Sequence, residues 1–156
     1  MSTIIIPESV DRLTPTGFRL TINSKEFNQL EYFCVGASLP GISLNSVETG
    51  FRNNKAFLSG DTIEYGSFSI SFIVDEELKN YLQIFKWILN NSQNDPIYLD
   101  MTLSILTNQN NTNKQVQFLS TTPQSLSELS FNVQDTSIDY VTCEAEFSYN
   151  TFKFIK

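Results

Sequence analysis

The chain has 156 residues, a net charge of −7 and an isoelectric point near 4.5. That length fits one compact domain, and the acidity disfavours binding to nucleic acid phosphates or an anionic membrane, which require clustered Lys and Arg. There is no histidine and only two cysteines, Cys34 and Cys143, so Cys/His metal sites are excluded, as are Ser and Cys nucleophiles that rely on a histidine base. Ser, Thr, Asn and Gln total 55 against 10 basic and 17 acidic residues. Such a neutral polar surface can pack against copies of itself at little desolvation cost.

In chain order, residues 1–16 hold Pro7 and Pro15 without periodicity and read as an arm. The run Ile4 to Ile6 lacks basic flanks and does not read as a signal peptide, and no apolar stretch approaches the ~20 residues that span a bilayer. A soluble protein made in the cytoplasm is the expectation. From Gly17 to Ile22 apolar and polar residues alternate as in a half-buried strand. With turn chemistry at Asn23 to Glu26 and a second strand over Leu30 to Val35, residues 17–36 predict a β-hairpin. Leu39-Pro40-Gly41 ends it. Residues 42–62 carry little core signal and read as a long functional or partner-ordered loop, or as a plain surface loop.

Residues 67–74 alternate cleanly, burying Phe68, Ile70, Phe72 and Val74 and exposing Ser67, Ser69 and Ser71. The following stretch, Asp75 to Leu89, is the one helix the pattern predicts. Asp75 stands as N-cap, Glu76 and Glu77 occupy the first turn, and Leu78, Tyr81, Leu82, Phe85, Ile88 and Leu89 form the packing stripe. Residues 97–106 predict a strand, 108–113 a turn and Gln115 to Leu119 a short strand. In 123–135, Leu129, Phe131 and Val133 alternate as another. The longest predicted strand is the last, with Val141, Cys143, Ala145, Phe147 and Tyr149 on one face and Thr142, Glu144, Glu146, Ser148 and Asn150 on the other. Phe152 and Phe154 shift that phase, predicting a bulge or a change of partner near Asn150. Between Gln115 and Phe152 there are five acids and no Lys or Arg, so this third of the chain carries a negative field.

These elements predict a mainly β fold: a two-layer antiparallel β-sandwich with one flanking α-helix, in a single domain over 17–156. Two buried free thiols are preferred, and a Cys34–Cys143 disulfide requires their strands to be neighbours. No catalytic constellation stands out. Glu76-Glu77 reads as helix-capping charge. Glu144 and Glu146 share a strand face about 6.5–7 Å apart, a spacing that would suit glycoside chemistry but without an aromatic sugar platform beside them. The many Phe residues sit in core phase and lack the basic groove that single-stranded nucleic acid binding needs.

The ordered set Cys34-Val35-Gly36-Ala37-Ser38-Leu39-Pro40, Phe51-Arg52-Asn53-Asn54-Lys55, Gly60-Asp61, strand 67–74 into Asp75-Glu76, a helix holding Trp87, and Pro123 followed by Leu126-Ser127-Glu128-Leu129-Ser130-Phe131 resembles the tail tube proteins of contractile-tailed bacteriophages. The resemblance covers residues 17–154. It implies hexameric rings whose sheets join between subunits into a ring-shaped β-barrel, stacked into a channel for DNA ejection. Tail sheath and baseplate proteins would be partners, with no membrane, no cofactor and no enzymatic activity, in the tail of a virion assembled in the host cytoplasm. The repeating tube subunit is the leading expectation. A baseplate tube-initiator or hub, or a tube-terminator ring of the same fold, is the alternative, and a carbohydrate-acting or ligand-binding sandwich the distant one. On this resemblance Ser67, Ser69, Ser71, Thr142, Glu144, Glu146 and Ser148 are the lumen-facing candidates. Phe51, Arg52, Asn53, Lys55, Gly60 and Asp61 match the family's loop toward neighbouring subunits. The helix, with Lys79 and Lys86, would lie on the outer side of the ring.

Overall fold

The computed structural model describes residues 12–137 and 139–156. The predicted arm therefore lies mostly outside the described residues, and 12–16 form neither strand nor helix. The elements are β1 (Phe18–Ile22), a 3-10 turn (Lys25–Phe27), α1 (Asn28–Phe33), β2 (Cys34–Ser38), β3 (Ile42–Phe51), β4 (Asn54–Tyr65), β5 (Phe68–Ile73), α2 (Lys79–Gln93), β6 (Leu99–Leu106), β7 (Thr112–Leu126), β8 (Thr142–Ser148) and β9 (Thr151–Phe154). The fold is mainly β, and its strand pairs are antiparallel. Seven strands form one hydrogen-bonded sheet, six in the order β1-β6-β7-β8-β5-β2 and β9 off that path on β7, while β3 and β4 form a separate two-stranded ribbon.

The long strand β7 joins the two halves of that path. Its first part pairs with β6 and β9, and Thr122 to Leu126 pair with β8. The change falls at Ser120, which takes a left-handed φ of 54° and whose N–H donates to the Asp100 carboxylate at 3.0 Å. Apolar faces from both halves meet in one core. Phe68 of β5 stacks on Phe118 of β7 at 4.2 Å, and Leu20, Met101, Val116, Ala145 and Phe147 are buried in the same cluster. On that core side α2 inserts Ile84 and Trp87. The Trp87 indole lies 6.0 Å from Phe147 and donates to the Ile97 carbonyl at 2.9 Å.

The predicted hairpin over 17–36 does not form. β1 pairs with β6, β2 pairs with β5, and Asn28–Phe33 between them is helical. Phe27 and Leu30 are buried three residues apart, and Glu31 reaches back so that its carboxylate accepts from the Ile22 N–H. Over six residues strand and helix periods cannot be told apart, and tertiary contacts decided the outcome. The molecule therefore has a second, short helix beside the predicted one.

The predicted helix is present but starts later and is turned about its axis, so that of the expected stripe Tyr81 and Ile88 still pack against the core. Leu78, with φ 57°, precedes the first turn, and Asp75 is not its N-cap. The organising residue is Asn80, fully buried: its amide donates to the Ile73 carbonyl at 2.7 Å, and its oxygen accepts from the N–H groups of Asp75 and Tyr81. Asn80, Ile84 and Trp87 face the core, whereas Leu78, Leu82, Phe85 and Leu89 of the expected packing stripe are exposed. The predicted strand at 129–133 is absent too. Phe131 and Val133 are exposed in an irregular segment, because β7 and β8 already pair directly and leave no ladder for it. The phase shift near Asn150 is a change of partner, from β5 and β7 for β8 to the first part of β7 for β9. No helix among the described residues is long and apolar enough to cross a membrane.

Candidate functional site

Two surfaces gather the residues singled out in the sequence. The first is the outward face of β5 and β8. In their antiparallel register Ser69 lies opposite Glu146 and Ser71 opposite Glu144. Alternation turns Phe68, Ile70, Phe72, Cys143, Ala145 and Phe147 into the core beneath, so the serines and glutamates face away from it, and away from α2. The Ser71 hydroxyl donates to Glu144 at 3.4 Å. Two residues not anticipated from sequence complete the face. Ser38 on β2 exchanges a 2.6 Å hydrogen bond with Ser69, and Ser125 on β7 donates to Glu146 at 3.3 Å. Strand phase alone could have nominated both, had their partner strands been known. Thr142 and Ser148 lie at the two ends of the same β8 face, and Ser67 stands just ahead of β5.

This face is a flat polar sheet with two carboxylates and, among the described residues, no cation within ion-pair distance of either. Four surface cavities, at Arg12–Asn113, Ser24–Leu99, Thr21–Glu31 and Val74–Val141, are lined by other residues. Glu144 and Glu146 have serines for neighbours and line none of these four cavities, and among the described residues no cluster of acids and thiols could hold a metal ion.

The second surface is the ribbon of β3 and β4, which replaces the expected loop over 42–62. Sequence reasoning missed it because the ribbon covers no core: every residue of β3 is exposed, so no hydrophobic phase marks the strands. Phe51, Arg52, Asn53 and Lys55 lie at its tip, where Asn53 takes φ 63° in the turn. Gly60 and Asp61 sit at a bulge further down, where Asn45 alone on β3 faces three residues of β4. A Cβ on Gly60 would lie 2.1 Å from the Asn45 carbonyl oxygen, so only glycine fits there. The ribbon holds the pairs Ile42–Tyr65, Leu44–Ile63 and Val47–Leu58 together with Phe51 and Phe57, all exposed. Apolar surface of that extent, on a ribbon that meets the rest of the fold at its base where Tyr65 packs edge-on against Tyr149 and Phe152, marks an interaction element.

The thiols are apart. Cys34 lies opposite Phe72, which in turn lies opposite Cys143, so β5 separates the two cysteines and both are free. Burial pushes the Cys34 thiol up to about 11, partly offset by backbone hydrogen bonding at Gly36. Cys143 is also raised by burial, against the lowering influence of Ser127.

A family model described as phage tail tube protein matches residues 3–155. The tail tube terminator protein of Enterobacteria phage T4 is 30% identical over 132 residues, covering 76% of this chain and 74% of that protein. Among solved structures, a chain of the anti-feeding prophage tube terminating cap superposes with a TM-score of 0.73 at 15% identity, over 98% of this chain and 95% of that one. The sheath/tube terminator of the extracellular contractile injection system PVC gives 0.66 at 19% identity, over 99% and 100%. The sheath-tube complex of the same system gives 0.67 at 18%, over 92% and 90%. At these identities the solved structures speak to fold alone.

Proposed function

The chain belongs to the phage tail tube protein family, and from that premise we propose that it is a tube terminator, a structural subunit that forms a ring and closes the end of a contractile tail tube. Its family is structural, and no catalytic activity is indicated. The observation that carries the terminator reading is the 30% identity, across three quarters of both chains, to a protein named for that role. The expectation of a repeating tube subunit becomes the second reading, supported by the likeness of fold to a sheath-tube complex.

Both readings share an assembly. The outermost strands β1 and β2 leave unpaired backbone groups that aggregation would exploit, and closing a homohexameric ring by strand pairing between neighbours removes them. The ribbon, with Phe51, Arg52, Asn53 and Lys55 at its tip, reaches the adjoining subunit or the ring below, burying its apolar pairs. The face of Ser67, Ser69, Ser71, Thr142, Glu144, Glu146 and Ser148 lines the lumen, where carboxylates repel phosphate and let DNA pass without adhesion. The arm and the single domain over 17–156 remain the proposed organisation. Sheath and tube subunits are the partners, and the tail of the virion is the place of action.

Negative-stain microscopy of the purified protein separates the readings. A terminator gives single rings that bind the ends of tubes assembled from the same tail's tube subunit and stop their growth. Rings that stack without limit on their own would overturn this in favour of the tube subunit. A species that stays monomeric at every concentration and salt would sink both.

A further inference from the structure

We propose that the tip of the β3–β4 ribbon plugs into a recess on a second copy of this chain, with Phe51 entering it and Arg52 and Lys55 meeting its acids. The inference rests on the reading that copies assemble, and it names the surface that receives the ribbon. The recess lies where β5 and β8 leave the sheet. Leu78, Leu129, Phe131 and Val141 wall a space of about 230 Å³ there, and Asp75 and Glu76 complete its lining. Phe131 is 76% exposed, so the apolar wall stands open to solvent.

Charge singles this recess out. Of the four surface cavities it is the one lined by acids without a base: the others hold Arg12, the pair Glu26 and Lys86, and the pair Lys25 and Glu31. Among the described residues Asp75 and Glu76 have no cation within ion-pair distance, whereas the neighbouring Glu77 is engaged by Lys79. An apolar hollow beside two unanswered carboxylates fits an aromatic side chain flanked by cations.

The ribbon carries that combination. Phe51 is 69% exposed at the end of β3, Arg52 follows it in the turn, and Lys55 lies opposite Gly50 across the ribbon. Arg52 has no acidic partner among the described residues, and Lys55 meets only the exposed Glu48, at 3.6 Å. The other aromatic between cations, Phe154, is held in β9 by its pairing with Val116 and its contact with Phe152. Tip and recess belong to opposite ends of the fold. The ribbon joins it beside Phe68 and Tyr149, whereas Val74 and Val141 lie past the far ends of the same two strands. A contact between such unlike patches on two copies is head-to-tail, the kind that closes into a ring.

The test uses full-length protein with the photoreactive p-benzoylphenylalanine at position 51, mixed with isotope-labelled wild type, irradiated and mapped by mass spectrometry. Cross-links between heavy and light chains should fall within 74–78 and 129–141. Cross-links confined to another surface, or none between copies, overturn the proposal. Charge reversal gives a second readout. Arg52→Glu and Glu76→Lys should each raise the concentration needed for assembly by about three- to tenfold with the thermal midpoint in place, and the chain carrying both should recover most of that loss. Losses that simply add also overturn it. Rings that form while the cross-links fall elsewhere count against the recess alone. Cross-links on the recess in a protein that forms no rings count against the ring reading alone.

Discussion

Asn80 is the residue on which the start of α2 depends. It is fully buried, and its side chain satisfies one carbonyl and two N–H groups. Asn80→Ala should cost about 2–4 kcal/mol in chemical denaturation, because the loss of three hydrogen bonds leaves buried backbone groups unpaired. Cys34 makes a pH prediction. Burial disfavours the thiolate and pushes the folded thiol from its ordinary value near 9 up to about 11. Above pH 9 the unfolded chain therefore gives up a proton that the folded chain keeps, and stability falls from pH 9 to 11, by about 2–3 kcal/mol at most. Cys34→Ala should flatten that decline in melts recorded across this range. Thiol titration of the unreduced, denatured protein should find both cysteines. Gly60→Ala places a methyl against the Asn45 carbonyl. It should break the register of the ribbon and prevent ring assembly, yet leave the melting midpoint nearly unchanged, because no residue of 42–65 belongs to the core.

At the scale of elements, the ribbon is expected to be a device for assembly and not for stability. Val47→Ser with Phe57→Ser should leave circular dichroism and melting intact while abolishing rings in microscopy. What the sequence made legible follows from burial. β5 and β8, with one face in the core and one in solvent, show clean alternation, and every inward and outward assignment along Phe68 to Phe72 and Cys143 to Phe147 agrees with the structure. Elements whose partners are distant or absent were opaque. The ribbon covers no core and so carries no phase, while α1 is too short for a period to register. For α2 the sequence contains two apolar stripes, and the composition of the stripes cannot say which one the sheet will cover. The decisive residue was a polar one, Asn80, whose burial no hydrophobic count anticipates. The same logic applies to the polar face: Ser69, Ser71, Glu144 and Glu146 could be aligned from their own strands, whereas Ser38 and Ser125 needed the strand order.

For the whole molecule, the field of the polar face can be tested apart from its fold. Glu144→Gln with Glu146→Gln should leave folding and ring formation unchanged, since the carboxylates touch only serine hydroxyls at 3.3 to 3.4 Å. Electrophoretic mobility should fall and retention of DNA by assembled rings at low salt should rise. Failed assembly would refute the placement of that face in the lumen. A different consequence lies in β7, which serves β6 and β9 along one part and β8 along the other. The two halves of the sheet therefore share one strand, and a load on one passes to the other through its backbone. Trp87, the one tryptophan, should report the same transition as the backbone signal. If the ring sits at the end of a tail that contracts, the sudden load passes along a continuous strand, and the subunit answers it as one stiff body whose yielding parts are the contacts between copies.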